Sequence, residues 1–338
     1  MKNIKKNTII LLIITLVILF FVLKDDYENI LNNLLLANKW LILFGTIMIV
    51  FYWLFKSLCL YLIVREYNSK VKYITMFKQI LITQFFNGVT PFSTGGQPMQ
   101  VYMLRKSGVK VAAATNIIVQ DFIMYQFALI VIGIFALVAN FFCNFFTVSP
   151  TLYSLIVIGF LVNLGVGLVL LFISFSKKFN NAVGKFMINT LSHTKFIKDK
   201  ESSIAKWEEK LAEFHSGAKL FKKKKILFLK CFCAHLLGLI VYYIIPFFIF
   251  LSFDIRLAIS IPAVITSSAF VLIIGNFVPI PGGSGGIEYG FLEFFGSFIP
   301  GAILSSGLIV WRFITYYLGI IVGGITLGLY KGDDWFWE

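Results

Sequence analysis

The stretch Asn276–Glu293 reads Asn-Phe-Val-Pro-Ile-Pro-Gly-Gly-Ser-Gly-Gly-Ile-Glu-Tyr-Gly-Phe-Leu-Glu and interrupts apolar sequence. Leu257–Phe277 before it carries no charged residue, while Pro279–Gly286 holds two prolines and four glycines in eight positions. Proline has no amide hydrogen and glycine has no side chain to restrict the backbone, so a helix cannot continue through this segment. Surrounding hydropathy places the break at membrane depth. There each unpaired backbone group costs roughly several kcal/mol unless protein or a water-filled cavity encloses it. The break therefore predicts a cavity, the usual setting of a binding or transport site.

A second break, Asn87-Gly-Val-Thr-Pro-Phe-Ser-Thr-Gly-Gly-Gln-Pro98, lies in the other half of the chain. Aligning Gly95-Gly96 with Gly282-Gly283 gives eight residues from Asn87 to the glycine pair but six from Asn276, so the repeat is loose. Paired interruptions in two halves of a membrane chain point to a transporter's site.

Composition agrees with that setting. The 338 residues are 59% hydrophobic and 14% charged, against about 45–50% and ~25% in soluble domains. The net charge of +14 would point to nucleic acid in a soluble protein. Here its placement excludes that partner and gives a topology. Apolar runs Thr8–Leu23, Trp40–Val64, Ala112–Phe142, Leu152–Phe175, Ile226–Leu251 and Ala302–Tyr330 read as six spans. Phe77–Val89 has thirteen residues, about 20 Å as helix, and cannot easily cross about 30 Å of hydrocarbon. With Met99–Leu104 it reads as a re-entrant hairpin entering from the cytoplasm. Leu257–Phe277 and Ile287–Phe298 read as a second hairpin entering from outside. This path leaves 24 of the 30 Lys and Arg on the inner side and three (Lys24, Lys39, Arg256) outside, as cytoplasmic loops require. The expected fold is an all-α polytopic membrane protein of about six full spans plus two oppositely oriented re-entrant hairpins, an inverted repeat. It forms a single domain over 1–338, multi-pass in the cell membrane, with both termini cytoplasmic. Its basic cytoplasmic loop, 176–225, contains thirteen lysines. Within it Ile204, Trp207, Leu211 and Phe214 share one face of an expected interfacial helix.

Each hairpin's outgoing helix would begin at membrane depth. Pro98 suits a first helical position, and Gly95, Gly96, Gly282, Gly283, Gly285 and Gly286 would let backbone approach a ligand closely. Two such N-termini carry about half a positive charge each and together favour an anion. Ionisable groups inside spans are functional candidates, namely Asp121, Glu288, Glu293 and Arg312. Arg312 either holds a phosphate or pairs with one of the carboxylates. Gln84, Gln97 and Gln100 offer neutral hydrogen bonds, Lys56 is expected to snorkel to the inner interface, and Tyr316 and Tyr317 to pack. Cys231-Phe-Cys233-Ala-His235 does not make a metal site, because Cys233 would point away from the other two. No metal or other cofactor is expected. His193, His215 and His235 are placed in or beside the inner loop, which leaves no catalytic pairing for them. A P-loop lysine motif is missing, and the glycine spacing does not fit a dinucleotide fingerprint.

Thr90-Pro-Phe-Ser-Thr-Gly-Gly-Gln-Pro-Met-Gln-Val-Tyr-Met-Leu-Arg105, together with Pro279-Ile-Pro-Gly-Gly-Ser-Gly-Gly-Ile-Glu288, resembles the flippase-like family. This is the transmembrane domain of lysylphosphatidylglycerol synthases. Trp311-Arg312-Phe-Ile-Thr-Tyr-Tyr317 is similar to that family's arginine-bearing last span. Full-length members add a cytosolic aminoacyltransferase domain, make lysyl-phosphatidylglycerol and expose it against cationic peptides. The sequence ends at Glu338 before any such domain, so the resemblance implies translocation of an anionic or aminoacylated phospholipid more than phosphatidylglycerol lysyltransferase activity. Two alternatives follow from it: a membrane module served by a separate aminoacyltransferase, or a transporter of another phosphorylated or lipid-linked solute.

Overall fold

The computed structural model describes residues 27–145, 150–176, 178–179, 181, 224–254, 260–275, 278 and 280–330. The expected first span, the face containing Trp207 and the tail after Tyr330 lie outside the described residues. Among the described residues all regular structure is helical, and the chain is an all-α polytopic membrane protein.

Helix α1 (Tyr27–Leu36) was not expected from the sequence. Its length of ten residues and mixed polarity hide it from a search for spans. It buries Ile30 and packs on the last span, where Asn33 Nδ2 donates to Ser306 Oγ at 3.4 Å. Helix α2 (Lys39–Val64) begins where the Asn38 side chain accepts from the Trp40 amide at 3.0 Å, supplying one of the partners that a helix start lacks. The first hairpin is α3 (Tyr73–Val89), a one-turn 3-10 segment (Pro91–Ser93) and α4 (Gly96–Lys106). Then come α5 (Val111–Cys143) and α6 (Pro150–Phe175). Helices α7 (Lys225–Tyr243) and α8 (Ile245–Ser252) form one crossing, divided just before Pro246. The second hairpin is α9 (Ile261–Gly275), a 3-10 turn (Pro281–Gly283) and α10 (Gly286–Gly296). The final crossing is α11 (Gly301–Arg312), a π-helical turn (Phe313–Tyr317) and α12 (Leu318–Leu329). Five stretches among the described residues are long and apolar enough to cross a membrane, and each falls on an expected span.

The first hairpin runs longer than expected at its outer ends and the helices of the second stop short of theirs, but both break where proline and glycine require it. The two 3-10 turns pack against each other, so each supplies protein around the other's broken backbone. Their true register differs from the one read in the sequence. Pro91 corresponds to Pro281, each opening a turn after a residue in extended conformation (Thr90, Ile280). At the same interval of 190 positions, Gly95-Gly96 corresponds to Gly285-Gly286, each pair starting the outgoing helix. Proline and glycine pair are then four positions apart in both breaks, and the offset at the asparagines shrinks to one residue, eight against nine. The left-handed positions are Phe92 (φ 53°) and Ser93 (φ 52°) in the first turn, Gly282 (φ 66°) and Gly283 (φ 63°) in the second. Chemically unlike residues thus hold like conformations, and each non-glycine member stores strain of roughly 1–3 kcal/mol.

Close helix contacts depend on small residues. Gly323 of α12 lies against the backbone of α3, where an added Cβ would collide with the Leu81 carbonyl. Gly328, one turn on, has nothing within 4 Å of that position. Gly323→Ala should therefore cost about 1–3 kcal/mol through overpacking and lower the thermal midpoint in detergent. Gly328→Ala should leave it unchanged or slightly raised.

Candidate functional site

Where the two turns meet, the helices enclose a cavity of about 610 Å³. Tyr52 and Lys56 of α2 line one side, with Thr83, Gln84, Asn87 and Gly88 of α3. Asp121, Tyr125 and Gln126 come from α5, and His235 and Tyr242 from α7. Gly282, Gly283, Arg312, Thr315 and Tyr316 close the side nearest the second break. Of the residues singled out in the sequence, Lys56, Gln84, Gln97, Gln100, Asp121, Gly282, Gly283, Arg312 and Tyr316 line the cavity. Gly95, Gly96, Gly285, Gly286 and Glu288 do not form its wall.

Those five shape the breaks instead. The Gly95 amide donates to Thr90 Oγ1 at 2.8 Å and the Gly96 amide to Asn87 Oδ1 at 2.9 Å. The Gly285 amide donates to Glu288 Oε2 at 2.6 Å. The protein thus satisfies the Gly95 and Gly96 amides at the start of the first outgoing helix and the Gly285 amide just before the second. Charged side chains, those of Lys56, Asp121 and Arg312, line the cavity directly. The glycines admit protein neighbours: the ring of Tyr316 sits over Gly282, the Gly275 carbonyl approaches Gly283, and Val278 covers Gly286.

Arg312 is buried and bridges the second break to the last span. Its Nε donates to Glu288 Oε1 at 2.6 Å, and its Nη2 lies 2.5 Å from the same oxygen. Nη1 and Nη2 donate to the Gly282 carbonyl at 3.1 and 3.2 Å, and Nη2 reaches Ser284 Oγ at 3.3 Å. The guanidinium also lies 4.9 Å from the centre of the Tyr316 ring. Tyr316 Oη donates to the Gly88 carbonyl at 2.8 Å, tying the last span to the first hairpin. The π-helical turn after Arg312 adds a residue to the helical repeat and so resets which side chains face the breaks. Of the sequence's two options, the structure brings Arg312 to Glu288. Glu293 is exposed, away from this cluster.

Asp121 pairs elsewhere: its Oδ1 is 3.0 Å from His235 Nε2, with both side chains nearly closed to solvent. The placement of His235 near the inner loop is thereby corrected. It lies ten residues into α7, about 15 Å along the helix axis. Cys231 shares its buried face and Cys233 is exposed, so the Cys-x-Cys-x-His stretch is not gathered into one site. The expectation for Lys56 also changes. Instead of snorkelling outward, its Nζ sits 5.4 Å from the ring centres of both Tyr52 and Tyr125. Two tyrosine faces offset part of the cost of placing an ammonium there. Lys56 and Tyr125 lie 69 positions apart, and only the α2–α5 packing brings them together. A lysine mid-run in an apolar helix was the available signal.

Two broken-helix hairpins meet tip to tip beside a cavity, within a bundle of helices long and apolar enough to cross a membrane, and together they define a polytopic membrane protein of the broken-helix class. The chain matches the family model described as Lysylphosphatidylglycerol synthase TM region over residues 8–323, and it belongs to that family. It is also 24% identical over 307 residues to a UPF0104 membrane protein of Archaeoglobus fulgidus, covering 86% of this chain and 87% of that protein.

The Arg312 cluster yields a stability prediction. Arg312→Ala strands the Glu288 carboxylate in a buried site, at about 3–5 kcal/mol. Adding Glu288→Gln removes the stranded charge and keeps an oxygen for the Gly285 amide. The single variant should show a large fall in thermal midpoint, and the double variant should regain most of it.

Proposed function

We propose that this chain is a lipid translocase that admits the headgroup of an anionic or aminoacylated phospholipid to the cavity between its two breaks. In this reading it lies in the cell membrane with both termini cytoplasmic, as the distribution of Lys and Arg favours. The observation that carries the reading is the cavity itself: a headgroup-sized space among apolar helices, open on one side and lined by Lys56, Asp121, Arg312 and several side-chain amides. Lys56 is its least committed cation, since Arg312 is already engaged by Glu288, Gly282 and Ser284. A phosphate would take its first contact from Lys56 Nζ, with Gln84, Gln97 and Gln100 supplying amide donors. Arg312, Gly282 and Gly283 would form the opposite wall, and Asp121 would meet the ammonium of an aminoacylated headgroup. Phe92, Val162 and Val166 both line the cavity and are exposed on the bundle's surface. That apolar rim would let acyl chains stay in hydrocarbon while the headgroup enters.

The test is leaflet exchange of acyl-labelled lipid in vesicles containing the purified chain, read by a membrane-impermeant quencher. Labelled phosphatidylglycerol should exchange faster than in protein-free vesicles. A hydrogen bond to a charged group contributes roughly 1.5–3 kcal/mol, so Lys56→Ala should slow exchange about ten- to a hundredfold with thermal stability retained. Exchange no faster than in protein-free vesicles would sink the reading. Exchange undiminished in Lys56→Ala would remove Lys56 from the path.

A further inference from the structure

The charges facing the cavity nearly cancel, and one group decides the remainder. Arg312 is neutralised by Glu288 in direct contact. Lys56 and Asp121 carry opposite charges on the same cavity wall. With His235 neutral the cavity is electrically balanced, and one added proton leaves it with a net positive charge. That balance does not depend on whether the proton sits on the imidazole or on the carboxylate, because the two share a hydrogen bond.

The geometry leaves a place for that proton. The Asp121 carboxylate accepts from Nε2–H of a neutral imidazole, which makes Nδ1 the basic nitrogen. Nδ1 is buried and has no hydrogen-bond partner among the described residues. The titratable groups near His235 come from three elements. Tyr52, Lys56 and Cys59 lie on α2, Asp121 and Tyr125 on α5, and Cys231, Tyr242 and Tyr243 on α7 itself. Helices α8 and α9, also packed on α7, contain no titratable residue. Imidazole is the side chain of this set whose charge ordinarily changes between pH 5 and 8.

We propose that the His235–Asp121 pair couples uptake of one proton to binding of a singly charged anionic headgroup in the central cavity. The inference rests on the proposed translocase reading and adds its coupling ion. A proton from water goes to Nδ1, the cavity becomes positive, and the phosphate monoanion restores neutrality. The loaded cavity then carries no net charge across hydrocarbon, which lowers the electrostatic cost of moving a bare phosphate. The sign follows from linkage: the anion-bound state holds the extra proton, so lower pH strengthens anion binding.

The test is calorimetric titration of the detergent-solubilised full chain with glycerophosphoglycerol, the deacylated headgroup, whose charge is constant between pH 5 and 8.5. Matched buffers of different ionisation enthalpy report protons taken up per anion bound. The parent should take up close to one proton at the alkaline end, its affinity falling about tenfold per pH unit there. His235→Gln should bind weakly, with no proton uptake and no pH slope. Asp121→Asn, with the carboxylate removed from beside Lys56, should bind more tightly than the parent at pH 8, with little slope. A group with a merely structural role would not give opposite affinity changes in the two variants. Buffer-independent heats in the parent, a slope retained in His235→Gln, or no binding at any pH would each overturn the coupling. Lipid exchange in vesicles remains a separate measurement. Exchange without proton uptake defeats the coupling alone, whereas absence of exchange defeats the translocase reading.

Discussion

A carbonyl exposed by a broken helix at membrane depth must find a donor, and in the second break that donor is Arg312. Its guanidinium serves the Gly282 carbonyl twice while pairing with Glu288, which in turn accepts the Gly285 amide. One buried ion pair thus satisfies backbone on both sides of the turn. The cavity can lie beside it because the break is already held by protein groups. Tyr316 extends the arrangement by lying over Gly282 and donating to Gly88 of the first hairpin. The two halves are joined through a single turn of the last span, where the added π-helical residue allows both side chains to face inward.

The first break reaches the same shape by different means. Thr90 and Asn87 supply the side-chain acceptors that Glu288 supplies in the second, and no arginine is involved. The extended residue and the two left-handed positions of the turn repeat at an interval of 190 positions, whereas the side chains at those two positions and the groups that hold the break do not. The cavity between the breaks is therefore asymmetric in charge. Arg312 and Glu288 lie on the side of the second break, whereas Lys56, Asp121 and His235 come from the surrounding spans.

The positions of the breaks were legible because proline and glycine act locally, whatever surrounds them. Five of the six expected spans fell on observed helices for the same kind of reason, since apolar length is a one-dimensional property, and the first lies outside the described residues. The repeat register was not legible. Gly95-Gly96 was matched to Gly282-Gly283 by letter, but the left-handed positions in the first turn are Phe92 and Ser93, residues that give no hint of that conformation. The partnership of Asp121 with His235 joins α5 to α7 across 114 positions. No local pattern encodes such packing, although Cys231 and His235 at helical spacing on one face hinted at a buried stripe. Side chains nearby accept from three of the amides at the expected helix ends, those of Gly95, Gly96 and Gly285, a detail that the glycine pattern alone does not encode. Asn87 and Thr90 were visible as part of the motif and were read only as its punctuation.

In the proposed function the cavity holds a phospholipid headgroup through Lys56. Native mass spectrometry of the purified chain, followed by identification of the retained lipid, tests it most directly. The account predicts retention of an anionic phospholipid, enriched over its share of the membrane, and loss of that enrichment in Lys56→Ala at unchanged thermal stability. Lipids retained by parent and variant alike in simple proportion to membrane composition would contradict it.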